Sequence, residues 1–144
     1  MTTDDLTELE PPFYVIDLAS VRERLDAIQS GYETRFDDVI VGYSYKTNYV
    51  PAMLEAIHDQ GAWAEVVSIL EYRLARKIGM PADRIIFNGP NKAPEDIAEA
   101  LEGGAIINFD SLADVDHALE WSERTGETAR FGLRVNVNLP EYGD

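Results

Sequence analysis

The stretch Arg84-Ile85-Ile86-Phe87-Asn88-Gly89-Pro90-Asn91-Lys92-Ala93-Pro94-Glu95-Asp96-Ile97-Ala98-Glu99-Ala100-Leu101-Glu102-Gly103-Gly104-Ala105-Ile106-Ile107-Asn108-Phe109 holds a strand, a helix and a second strand in one unbroken run. Arg84 to Asn88 is a short apolar run of strand length, and the residues through Lys92 form a polar, turn-rich loop. Pro94 suits the first turn of a helix, where its missing N–H is no loss and its fixed φ is already helical. Ile97 and Leu101 share one face of that helix, a glycine lies near its end, and Ala105 to Phe109 is the next strand. Strands joined through a helix run parallel, so the stretch predicts a parallel α/β protein.

The same unit repeats outward in both directions. Further strands are expected at Val39 to Tyr45, Trp63 to Val67 and Arg130 to Asn136. Pro51 opens a helix with Leu54 and Ile57 on one face and Gly61 after its end. Ser68-Ile69-Leu70-Glu71 has capping-box spacing before Leu74 and Ile78, and Ser111 precedes Leu112, Val115 and Leu119. Toward the N-terminus, Pro11-Pro12 leads into a strand-like run, Phe13 to Ile16. Asp17 then caps a helix with the stripe Leu18, Val21, Leu25 and Ile28, and Gly31 is its expected stop. Residues 1 to 10 are acidic and polar and are expected to be disordered. A doubly wound sheet and a barrel both fit this alternation, and both put their chemistry at the C-terminal ends of the strands.

Composition narrows the function classes. Apolar residues make up 45% of the 144, enough for one buried core. No apolar run approaches the roughly 20 residues of a membrane span, and Met1-Thr2-Thr3-Asp4-Asp5 has none of the basic and apolar regions of a signal peptide, so a cytoplasmic protein is expected. With no cysteine, disulfide scaffolds, thiolate metal sites and cysteine nucleophiles are excluded. His58 and His117 lie in separate helical patterns, and no metal site is expected. The net charge of −15 opposes binding to nucleic acid and to anionic membranes. The sequence contains neither a G-x-G-x-x-G dinucleotide fingerprint nor a P-loop.

The polar residues at strand ends are therefore the site candidates. They are Tyr43, Lys46 and Asn48; Ser68 and Glu71; Asn88, Asn91 and Lys92; Asn108 and Asp110; and Arg134, Asn136 and Asn138. In a parallel α/β protein they gather at one rim. Lys46 is the most informative, because a lysine desolvated at the end of an apolar strand becomes a neutral, nucleophilic amine able to capture an aldehyde cofactor.

Tyr43-Ser44-Tyr45-Lys46-Thr47-Asn48 resembles the Y-x-x-K-A-N segment of fold-type III pyridoxal-phosphate enzymes, whose lysine holds the cofactor as a Schiff base. Pro12 to Leu18 resembles that family's opening strand, and Ala64 to Glu71 its second-strand segment, at the family's spacing. The similarity continues through Arg84 to Lys92, Ile107 to Ser111 and Leu133 to Asn136. Diaminopimelate, ornithine and arginine decarboxylases of the alanine-racemase-like barrel class are the nearest relatives by this resemblance. It implies a partial (β/α)8 TIM barrel of about five βα units, with residues 11–144 as the N-terminal portion of the barrel domain.

It also implies pyridoxal 5'-phosphate as cofactor, bound by Lys46, Asn48, Ser68 and Arg134. Lys46, Glu65 and Glu71 would be the catalytic groups, the two carboxylates facing the lysine and substrate amines. Ser68 and Glu71 read equally well as a plain capping box. The implied reaction is decarboxylation of a basic or dibasic amino acid by a homodimer; a racemase, or a truncated barrel acting as a non-catalytic binding partner, are the alternatives. Thr47 stands in place of the common alanine, Glu65 where many relatives have aspartate, and Ile69-Leu70 where diaminopimelate decarboxylases have glycines. A full barrel has eight strands and runs to about 250 residues, so the 144 residues alone are expected to be inactive and to self-associate. Val41, Ile86 and Ile107 are expected to line the barrel interior.

Overall fold

A computed structural model of the chain describes residues 10–136. In chain order the elements are α1 (Leu18–Glu33), β1 (Gly42–Ser44), a 3-10 turn (Tyr45–Thr47), α2 (Pro51–His58), β2 (Trp63–Val66), α3 (Ile69–Lys77), a second 3-10 turn (Ala82–Arg84), β3 (Ile85–Phe87), α4 (Pro94–Glu102), β4 (Ile106–Phe109), α5 (Leu112–Thr125) and β5 (Arg130–Leu133). The strands form one parallel sheet in the order β1-β2-β3-β4-β5.

That order separates the two architectures left open by periodicity. A doubly wound sheet reverses its strand order at a switch point and covers both faces with helices. Here the order never reverses, and the helices bury one face. Ala64, Val66, Ile85, Phe87, Ile107 and Phe109 point into a core shared with Leu54, Tyr72, Ile97, Leu101, Ala118 and Trp121. The other face carries Ser44, Glu65, Ile86, Ile106 and Asn108, all half-buried. A sheet that is one-sided and sequential is a sector of a β/α barrel, with its would-be interior open.

Local chemistry accounts for the element ends. The Asp17 carboxylate accepts the N–H groups of Ala19 and Ser20 at 3.0 and 3.3 Å and starts α1. Ser68 and Ser111 cap α3 and α5 through the N–H groups of Glu71 and Asp114, at 3.3 and 3.2 Å. Pro51 and Pro94 each take a first-turn position. Each fully buried core side chain, Phe87 or Ile107 for example, contributes about 1.5–3 kcal/mol of apolar transfer energy.

Four expectations change. Phe13 to Ile16 is not a strand: it has no neighbouring strand to complete its backbone hydrogen bonds, and Tyr14 is 100% exposed. Helix α1 continues through Gly31 to Glu33, since an exposed helical glycine costs only about 1 kcal/mol against alanine. Val41 and Ile107 face the helices rather than the open interior: Ile107 is buried in the main core, and Val41 packs on Leu25, Ile57 and Ala62. In continuous apolar runs such as Ala105-Ile106-Ile107 the alternation is invisible, and a phase error of one residue turns every side chain to the other face. Ile86 does lie on the open face. The disorder expected for residues 1 to 10 falls outside the described residues, except at Glu10.

Candidate active site

Lys46 sits in the middle of the 3-10 turn directly after β1, and its side chain is exposed. The desolvated setting expected for it is absent, because within the five-stranded sheet no opposing strand covers this end of the open face. The turn itself is firmly anchored. Tyr45, beside Lys46, is completely buried, and its hydroxyl lies 2.6 Å from His58 Nε2. His58 Nδ1 is 3.0 Å from the Ala62 carbonyl, which can only accept. Nδ1 therefore carries the proton, Nε2 accepts, and Tyr45 donates. Burial pushes the His58 imidazolium below its usual range, against the opposing pull of the Ala62 carbonyl and Asp59, which fits this neutral tautomer. Burial, and then the charge of Glu71, hold the Tyr45 hydroxyl well above the usual phenol range. Thr47 completes the turn by donating to the Ser44 carbonyl at 2.7 Å.

Asn48 is half-buried, and its carboxamide oxygen accepts the Val50 N–H at 3.0 Å, closing the turn that precedes α2. The Ser68 and Glu71 side chains are used in the same local way. Glu71 Oε2 accepts the Val67 N–H at 2.7 Å while Ser68 Oγ accepts the Glu71 N–H at 3.3 Å. This is a reciprocal cap at the mouth of α3.

Glu65 differs. It pairs in register with Ser44 across the β1/β2 ladder, on the open face. Its Oε1 and the Ser44 Oγ are both buried and have no hydrogen-bond partner. A Cβ built on Gly42 would come within 3.7 Å of Glu65 Cβ and 3.6 Å of Ile86 Cδ1, so these three positions share that face. Buried polar atoms without partners are rare, and this carboxylate oxygen and hydroxyl on an open face are free to take outside partners, the oxygen as acceptor and the hydroxyl as donor or acceptor.

The rim continues along the sheet. Asn108 donates its amide to Asn88 Oδ1 at 3.1 Å, and a Cβ at position 132 would push the Asn108 carboxamide aside. Gly89 is the stricter requirement, since a Cβ there would run into the Val67 backbone carbonyl. After β5, the Arg134 N–H donates to the Phe109 carbonyl at 3.0 Å and its guanidinium meets Asp110 Oδ1 at 3.0 Å.

Two features were missed in the sequence. Lys92 and Asp114 form a buried ion pair at 2.8 Å, with side chains 0% and 5% exposed. Burial works to raise the Asp114 carboxyl, but the Lys92 ammonium and the N–H groups of Asp110 and Ser111 outweigh it and hold the group below the usual carboxylate range. Lys92 was visible as a polar strand-end residue; nothing local marked Asp114 as its partner. The Tyr45–His58 bond joins residues from different elements and had no signal at all.

An exposed primary amine just after β1, an unpartnered carboxylate oxygen on the neighbouring strand and a cationic arginine further along the rim are suited to a group that brings an aldehyde, a polar ring substituent and negative charge. The fold thus defines a β/α-barrel sector whose polar strand-end groups gather at one rim. Residues 18–142 match the family "Pyridoxal-dependent decarboxylase, pyridoxal binding domain", and the chain belongs to that family, with pyridoxal phosphate as its cofactor. Among the relatives, diaminopimelate decarboxylase of Aquifex aeolicus is 31% identical over 129 residues, covering 89% of this chain and 30% of that protein. A solved protein of the same organism superposes with a TM-score of 0.80 at 29% identity, over 93% of this chain and 33% of the other. The diaminopimelate decarboxylase of M. jannaschii in co-complex with L-lysine gives a TM-score of 0.74 at 28% identity, over 84% and 29%. The chain thus spans about a third of the length of these proteins.

Proposed function

We propose that the protein containing these residues removes carbon dioxide from a basic or dibasic amino acid, of the diaminopimelate, ornithine, lysine or arginine class. The observation that carries the reading is the exposed Lys46 at the end of β1, next to the strand that presents Glu65, in a chain 31% identical to a diaminopimelate decarboxylase. Pyridoxal phosphate, when bound, supplies an electron sink for the electron pair left at Cα as carbon dioxide departs. Lys46 would hold the cofactor through its ε-amine, exposed at the end of β1.

Glu65, with an unpartnered oxygen, receives a donor from the cofactor or a substrate ammonium, and its charge selects amines over neutral side chains. Glu71 adds charge while bound in its cap, and Ser68 and Asn48 hold the loops that frame the site. Arg134, cationic at the rim after β5, would bind the cofactor. The L-lysine bound by the M. jannaschii relative supports a diamino ligand. In this reading residues 11–144 are the N-terminal portion of the barrel domain, and the protein is a cytoplasmic homodimer.

The test is to supply the protein containing this chain with pyridoxal phosphate and then with diaminopimelate, ornithine, lysine and arginine, following gas release. Release from at least one of them, lost in Lys46→Ala, is expected. Racemisation without gas release would replace the reading by a racemase.

A further inference from the structure

The rim holds one buried charged cluster that the proposed chemistry does not use. Lys92 comes from the loop between β3 and α4, and Asp114 from the first turn of α5. Asp114 Oδ2 takes two donors at once, the Lys92 ammonium at 2.8 Å and the Asp110 backbone N–H at 2.9 Å. Asp110 in turn offers its carboxylate to the Arg134 guanidinium at 3.0 Å. Three consecutive rim loops, after β3, β4 and β5, are thereby tied in one chain of bonds.

An exposed ion pair does little to hold a guanidinium, because both side chains are free to move and water screens them. Arg134 is 59% exposed, so its contact with Asp110 would be of that kind if Asp110 sat on a loose loop. It does not. The Asp110 backbone N–H is held by an oxygen that is itself anchored, since Asp114 is buried and bonded to Lys92 and to the Ser111 cap. Arg134 is gripped at its other end too, through its N–H to the Phe109 carbonyl. A buried pair is poor evidence for stability as such, because desolvating two charges offsets their attraction. Its placement under Asp110 gives it a different use.

We propose that Lys92 and Asp114 are positioning residues for Arg134, acting through Asp110, and that they aim its guanidinium at the cofactor site. The aim toward the cofactor rests on the function proposed above; the positioning itself does not. The test uses the protein containing this chain, with Asp114→Asn as the main variant because it keeps shape and cap but removes the charge. Asp110→Asn, at the surface, is the reference for a released arginine. In nitrogen-proton NMR spectra without cofactor, the Arg134 guanidinium signals are expected to be resolved in the parent and averaged in both variants. If Asp114→Asn lowers the unfolding midpoint yet leaves the Arg134 signals unchanged, the pair is structural only and the proposal is overturned. Should Asp114→Asn not fold, Lys92→Gln carries the same comparison.

With cofactor, Asp114→Asn and Arg134→Gln are each expected to weaken pyridoxal phosphate binding by roughly tenfold, the lower end of what outer-shell partners cost in metal sites, and the double variant no further. Additive losses in the double variant would overturn the route through Arg134. A parent protein that takes up no pyridoxal phosphate defeats the proposed function instead, while the Arg134 spectra still decide the positioning.

Discussion

At the scale of single residues, the site depends on what lies beneath Lys46. Tyr45 and His58 form a buried donor–acceptor pair that fixes the turn. Removing the hydroxyl with Tyr45→Phe leaves the His58 Nε2 without its donor and is expected to cost about 1–3 kcal/mol, read as a lower urea midpoint. The imidazole also sets a pH dependence. Its folded pKa lies below the ordinary imidazole value of 6.5, so between the two values the unfolded chain takes up a proton that the folded one refuses. Stability is therefore fully present above 6.5, falls as pH drops through that value, and levels off below the folded pKa. Urea midpoints across this range should show the decline in the parent and lose it in His58→Gln; an unchanged slope in the variant would place the titrating group elsewhere. Glu65→Gln removes the charge but keeps the shape. The expected result is a raised KM for diamino substrates, with little change in thermal unfolding.

At the scale of elements, the loops are held by side chains that also look like site residues. Ser68 caps α3, and Glu71 and Asn48 hold backbone N–H groups in the turns just ahead of α3 and α2, so substitutions there mix folding with function. The Lys92–Asp114 pair ties the loop before α4 to α5. Lys92→Met leaves Asp114 buried and unpaired, which is expected to cost about 3–5 kcal/mol by denaturant titration. Replacing both partners, Lys92→Met with Asp114→Leu, removes the orphaned charge and is expected to recover part of that loss; a double variant as unstable as the single would show that the Asp114 bonds to backbone matter more than its charge.

At the scale of the whole molecule, β1 and β5 each pair on one side only among the described residues. Beside β5, an apolar groove of about 520 Å³ opens between that strand and α5, with Leu112, Leu119, Phe131 and Leu133 exposed along it. An unpaired edge next to exposed apolar surface favours association. The isolated 144-residue chain is expected to give light-scattering masses above the monomer and no turnover with added cofactor. Phe131→Lys should shift the mass toward the monomer. A monomer that turns over substrate would contradict the open-barrel reading of the sheet.

The strand and helix spacing, the proline starts and the Asp17, Ser68 and Ser111 caps were all legible from residue order, because each depends on neighbours within about one helical turn. The lysine segment and its family likeness were equally local, and with them the parallel α/β class and the pyridoxal cofactor. Strand phase was not legible: in runs such as Ala105-Ile106-Ile107 every residue is apolar, so only packing against Leu101 and Trp121 decided that Ile107 turns inward and Ile106 outward. Phe13 to Ile16 has strand composition but no strand, because pairing needs a neighbour that composition cannot supply. The Tyr45–His58 bond, the register that sets Glu65 beside Ser44 and the Lys92–Asp114–Asp110–Arg134 chain bring together residues far apart in the sequence. Their geometry exists only once consecutive strands bring the loops to one rim, and so the tertiary structure alone decided it.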